Sequence, residues 1–258
     1  MATLNSDKIL LVHPLGYGSE EAERDISRKA NIMPPLGLAS IAAYLEQRNI
    51  SVSIIDCYAH PDALPLIKQI LNDEQPAFIG FSCTTSTFLD GVKIGEIAKK
   101  LLPGIQTIFG GAHVSALKEK ILVSFQAVDF VVAGEGEETL YELITSNGKN
   151  LDQIEGLVYR NATEPVFTGY RKNLLDLDSL PFPAYEKLAG YPEQYMLPIF
   201  NYPKAPNTSC ISSRGCPYAC SYCDRSVFKR SFRYNSANYL YKHLSYLKEQ
   251  FGIRHINF

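Results

Sequence analysis

Ile211-Ser-Ser-Arg-Gly-Cys216-Pro-Tyr-Ala-Cys220-Ser-Tyr-Cys223-Asp-Arg225 sets three thiols within eight residues, at the spacing C-x3-C-x2-C, and no further Cys follows. Thiols that close in sequence can grip one metal centre. An iron–sulfur cube is held at its iron corners by thiolates, so three ligands leave one iron free for a small molecule. A structural zinc site needs four closed ligands, usually two short pairs set apart; Cys210 could join only by looping back, and no His lies near the loop. A disulfide framework is equally poor, because six Cys in 258 residues is not disulfide-dense. The spacing favours the cluster.

Working outward, the chain is 46% hydrophobic and 20% charged, enough for two packed domains and without the bias of a disordered segment. The apolar run Ile9-Leu-Leu-Val12 is too brief for a signal sequence or a membrane span, so the expected compartment is the cytoplasm. The net charge of −2 is uneven: residues from Asn201 onward carry +7 and residues 1–200 carry −9. The positive charges are scattered rather than lined up with aromatics, which argues against nucleic acid; attraction for a carboxylate-bearing cosubstrate and an electron donor explains them at least as well.

Before the Cys loop the pattern alternates. Lys8–His13, Ser51–Asp56, Phe78–Ser82, Thr107–Phe109 and Phe130–Ala133 read as strands. Helices are expected from Pro35 to about Arg48, and at Ala63–Leu71, Phe88–Leu102, Val114–Phe125 and Glu138–Thr145, with the polar passage up to Asn31 as a lid or loop. Five strands with intervening helices imply an α/β fold with a doubly wound, flavodoxin- or Rossmann-like parallel sheet over residues 1–150. Ligands of such sheets sit beyond the carboxyl ends of the strands. Small and polar residues gather there: Pro35 and Gly37; Ser82, Thr84 and Thr85; Gly110, Gly111 and His113; Gly134, Glu135 and Gly136. Glycines let a bulky ligand approach the backbone, and hydroxyls can bond amides or a phosphate. His13 and His113 read as hydrogen-bonding loop residues rather than metal ligands, and Cys57 and Cys83 as small buried groups.

Residues 151–203 read as a hairpin, Gly156–Arg160 with Pro165–Gly169, and then a linker marked by Leu-Pro-Phe-Pro at 180–183, with a short helix and an extended passage over Tyr185–Tyr202. From 204 on, Thr208–Ser213 is expected to be a strand that delivers the Cys loop. Ser236 then caps a helix to about Gln250, with Gly252 as its stop, and Ile253–Phe258 opens a second strand.

The Cys loop resembles the signature of radical S-adenosylmethionine (SAM) enzymes, with Tyr222 as the aromatic before the last Cys. The resemblance implies that Cys216, Cys220 and Cys223 hold a [4Fe-4S] cluster, that SAM chelates the fourth iron, and that Tyr222 lies beside its adenine. The segment before it, with Pro-Pro-Leu-Gly-Leu, Gly-Gly-Ala-His and Gly-Glu-Gly-Glu in that order, resembles the cobalamin (B12)-binding domain that precedes the barrel in one class of these proteins. It lacks the Asp-x-His-x-x-Gly element of other B12 domains, which implies cobalamin bound with its base tail detached and no His on cobalt. Flavin is the competing cofactor. The resemblance thus implies the first part of a cobalamin-dependent radical SAM enzyme: the B12 domain at 1–150, hairpin and linker at 151–203, and the start of a radical SAM βα-barrel at 204–258. Methyl transfer to an unactivated carbon is the expected outcome, with an oxidative cyclase-like enzyme or a non-catalytic corrinoid or iron–sulfur module as alternatives. A flavodoxin or ferredoxin is the implied electron donor, and the substrate stays open. Since only 35 residues follow Cys223, the chain is expected to be a fragment of a longer protein.

Overall fold

Ile9 to Val12 are at most 1% exposed, so this strand has to be covered on both faces and paired on both edges. The computed structural model, which describes residues 4–195 and 204–258, places it there. Strand β1 (Asn5–His13) lies between β2 (Ser51–Asp56) and β3 (Pro76–Ser82), and the sheet continues through β4 (Gln106–Gly110) and β5 (Phe130–Val132) in the order 2-1-3-4-5, all parallel.

Its side chains alternate between two cores. Leu10 and Val12 face one layer, which is filled from α4 (Leu64–Glu74), α5 (Phe88–Leu101), α6 (Ala112–Leu117) and α7 (Glu119–Ser124). Ile9 and Leu11 face the other, built from α3 (Leu36–Glu46) and α8 (Glu137–Thr145). Helices on both faces of a parallel sheet follow from strands apolar on both sides.

Several expectations are corrected. The sheet has seven strands, not five: the hairpin expected between the domains, β6 (Leu157–Asn161) and β7 (Glu164–Phe167), adds to β5 as two antiparallel strands. Val158 and Leu157 are wholly buried, and the sheet edge is what buries them. The helix expected over 114–125 is two, broken at Lys118 with φ of +47°. The passage before Asn31 contains α1 (Ser19–Arg24) and α2 (Ile26–Lys29), the second capped by Asp25, whose carboxylate accepts from the Ser27 and Arg28 amides. Of the short helix and extended passage expected over 185–202, the part beyond 195 lies outside the described residues.

After the hairpin the chain crosses α3, where the Ala184 amide donates to the Ala39 carbonyl at 3.0 Å and Tyr185 is completely buried. It then forms β8 (Asn207–Ser209), β9 (Ser213–Cys216), β10 (Ser231–Tyr234), α9 (Ala237–Phe251) and β11 (His255–Asn257). The single strand expected over 208–213 is instead β8 and the start of β9. β8 and β11 pair in parallel through α9, a βα unit. β9 and β10 form an antiparallel hairpin, and the Cys loop is its connection. Ser236 caps α9 by accepting the Tyr239 amide at 3.1 Å, and Gly252 ends it in the left-handed conformation.

Candidate functional site

The strand order 2-1-3-4-5 reverses between β1 and β3, and the loops at their carboxyl ends open the crevice where such sheets hold ligands. After β3, Thr84 bonds the Ser86 hydroxyl at 2.9 Å, and Thr85 bonds His113 Nδ1 at 3.1 Å. His113 packs on Phe88 with ring centroids 4.8 Å apart, and burial holds its pKa below the usual imidazole value. After β4, Gly111 has φ of +100°, and a Cβ there would stand 2.5 Å from the Cys83 carbonyl oxygen. Only glycine lets this turn sit on the neighbouring loop.

Beneath this edge runs an apolar slot between the sheet and helices α3 and α8, with a cavity volume of about 70 Å³. Ser82, Gly110, Gly111, Gly134 and Gly136 line it, as five of the residues singled out from sequence. Gly80, in mid-strand, was not singled out; a Cβ there would lie 2.8 Å from Leu11 Cδ2, so its missing side chain is part of the space. Its signal was an isolated glycine inside an apolar strand, which marks a close approach. Pro35 and Gly37 begin α3 outside the slot, and Leu38 and Ile41 line it instead.

Glu135 has different partners from those expected. Its carboxylate accepts from Arg214 and from Arg233, each at 2.8 Å, and Glu137 accepts from Arg214 at 2.6 Å. All four side chains are between 7% and 12% exposed. Burial works to lower the Arg214 pKa, but Glu137 and Glu135 outweigh it, and the guanidinium is held above its ordinary value.

The two arginines belong to the strands that carry the Cys loop. Cys216, Cys220 and Cys223 are exposed, whereas Cys57, Cys83 and Cys210 are buried. Burial pushes the Cys57 thiol up to about 12 and Cys210 to about 11. Tyr222 is 90% exposed on the same loop. The returning half of the loop rests on the carboxyl edge of the sheet: the Ser226 hydroxyl donates to the Ala112 carbonyl at 3.1 Å, and the Val227 carbonyl faces Gly134. Among the described residues no three Cys, His, Asp or Glu side chains already converge as a metal-binding group. The donor set itself, three accessible thiols, suits an iron–sulfur cluster with one open iron.

Residues 26–144 match the B12 binding domain family. The chain is 32% identical to an uncharacterised methyltransferase of Pyrococcus horikoshii over 257 residues, covering 97% of this chain and 52% of that protein. Residues 26–144 are thus a match to the B12 binding domain, inside a chain that is similar over nearly its whole length to a methyltransferase. The chain is also 26% identical to the anaerobic magnesium-protoporphyrin IX monomethyl ester cyclase of Synechocystis, over 87% of this chain and 44% of that one. Among solved structures, the radical SAM methyltransferase TsrM of Kitasatospora setae, with cobalamin and a [4Fe-4S] cluster bound, superposes with a TM-score of 0.70 at 18% identity, covering 98% of this chain and 47% of that one. The chain thus spans about half the length of the curated relatives it matches. No helix among the described residues is long and apolar enough to cross a membrane.

Proposed function

We propose that this chain carries the cofactor-binding part of a cobalamin-dependent radical SAM methyltransferase. One observation carries the reading: the loop with three exposed thiols is packed against the glycine-lined carboxyl edge of the sheet, so two cofactor sites face each other. Cys216, Cys220 and Cys223 would ligate the [4Fe-4S] cluster, and Tyr222 would cover the adenine of SAM. Ser82, Thr84, Thr85, Gly110, Gly111, His113, Gly134 and Gly136 would line the cobalamin side, with the slot taking an apolar, planar arm of that cofactor. Pro35, Gly37 and Glu135 would frame the same edge from α3 and from the loop after β5. When bound, the cluster, SAM and cobalamin supply the electron, the radical and the methyl group that reach an unreactive carbon. The protein's own part is to fix the loop, bring backbone amides and hydroxyls to the edge, and keep His113 neutral beside it.

The B12 domain is taken as residues 1–150, the hairpin and linker as 151–203, and the start of the radical SAM barrel as 204–258. A flavodoxin or ferredoxin would deliver the electron to the basic face around the loop, in the reducing cytoplasm that suits exposed thiols. The similarity to the magnesium-protoporphyrin cyclase supports a second reading, radical cyclisation on the same scaffold.

The deciding experiment incubates the anaerobically reconstituted chain with hydroxocobalamin, dithionite and SAM labelled on its methyl carbon. Label recovered with the corrin supports methyl transfer. 5′-Deoxyadenosine without label transfer favours the cyclase reading, and absence of both products contradicts an enzyme role for this chain.

A further inference from the structure

Arg214 and Arg233 stand directly opposite each other across the β9–β10 hairpin, two register steps before Cys216 and Ser231, the pair that flanks the Cys loop. Like charges at directly opposed positions destabilise a strand pair. Nothing in the hairpin offsets this; the relief comes from outside it. Glu135 accepts from both guanidinium groups, and Glu137 accepts from Arg214. Both carboxylates follow Gly134, Glu135 on the loop that ends β5 at the corrin edge and Glu137 as the first residue of α8. Arg233 also donates to the Leu174 carbonyl at 2.7 Å, which ties in the segment leaving the seven-stranded sheet.

Two positive and two negative side chains are therefore taken out of water as a neutral set. Such buried sets add little net stability compared with apolar packing, because desolvation offsets the attraction. This one is not even fully satisfied: Arg233 Nε and Nη2 are buried without a partner among the described residues. Poor stabilisation combined with strict geometry is what a registration device looks like. Gly215 reinforces it. It lies between Arg214 and Cys216 with φ of +88°, and a Cβ there would stand 2.2 Å from the Ser231 carbonyl oxygen, so the two strands close tightly at the mouth of the loop.

We propose that Arg214 and Arg233, locked onto Glu135 and Glu137, are positioning residues that set where the Cys loop stands over the B12-domain edge. The network links the two cofactor sites through a single loop of the first domain. Its electrostatics make the hairpin adopt its paired form only when docked there. The inference rests on the function proposed above for what the loop holds, while the docking itself is a property of the chain without cofactors.

Two readouts keep these apart. In the chain without cofactors, hydrogen exchange of Arg214→Met should rise tenfold or more in residues 134–137 and 213–234 together, with β1 to β4 unchanged. Arg214→Glu combined with Glu137→Arg should recover most of the protection. Exchange that is unchanged, or that rises throughout the sheet, overturns the proposal, whatever becomes of the cofactor reading. In the chain reconstituted with iron, sulfide and hydroxocobalamin, then reduced, the electron paramagnetic resonance signals of cluster and cobalt should broaden each other. Arg214→Met should lose that broadening at unchanged iron and cobalt content, and the charge-swapped pair should restore it. Broadening that survives in Arg214→Met, or loss of iron itself in that variant, contradicts a positioning role.

Discussion

At the scale of single residues, the account depends on a few positions that tolerate no substitute. Gly111 occupies a backbone region open essentially to glycine, and the Cys83 carbonyl fills the space a side chain would need. Gly111→Ala should lower stability by about 1–3 kcal/mol, read from urea unfolding, and should weaken retention of hydroxocobalamin on gel filtration. The cysteines divide by exposure. Cys220→Ala should abolish iron uptake on anaerobic reconstitution, whereas Cys57→Ala, at a buried thiol, should leave iron per chain unchanged. Equal iron in the two variants would show that the loop is not the ligand set. Gly136→Leu should crowd Ile41, since a Cβ at that position already stands 3.1 Å from Ile41 Cδ1; corrin retention should fall while iron content holds.

At the scale of elements, α9 shows how a buried titratable group is tolerated. His243 is 1% exposed and stacks on Phe182 at 4.6 Å, with Nε2 at 3.2 Å from the Tyr185 hydroxyl and Nδ1 at 3.4 Å from Cys210 Sγ. Burial lowers its pKa from 6.5 to about 4. Between those values the unfolded chain binds the proton and the folded chain does not, so stability rises with pH across this window and is lost as pH falls through it. Urea midpoints should therefore drop between pH 7 and pH 4.5, and His243→Phe should flatten that part of the profile. This histidine was not legible in the sequence, where the helix was read from its cap and its stop; nothing in its spacing marks a buried imidazole. The parallel strands were legible because their runs are apolar on both faces, and α9 because Ser236 and Gly252 bracket it. The hairpin at 157–167 was seen as a hairpin but not as part of the sheet. Its pairing with β5 depends on a free edge that no local pattern reveals. The partners of Glu135 were hidden for the same reason, since Arg214 and Arg233 lie about eighty and a hundred residues further on.

At the scale of the whole molecule, a flavodoxin-ordered sheet, extended by a hairpin, presents its carboxyl edge to a loop that arrives more than 70 residues after its last parallel strand. Sequence alone gave both halves of that arrangement, but not their contact. The contact between them is made by Ser226, Val227 and the arginine–carboxylate network. The central claim is that this one chain holds iron through its loop and a corrin through its edge at the same time. The most direct test measures iron, sulfide and cobalt in a single desalted, anaerobically reconstituted sample of the chain and of a variant with Cys216, Cys220 and Cys223 all replaced by Ala. The account predicts about four iron, four sulfide and one cobalt per wild-type chain, with iron and sulfide lost and cobalt kept in the variant. Iron that persists in the variant, or wild-type protein that retains no cobalt, would contradict it.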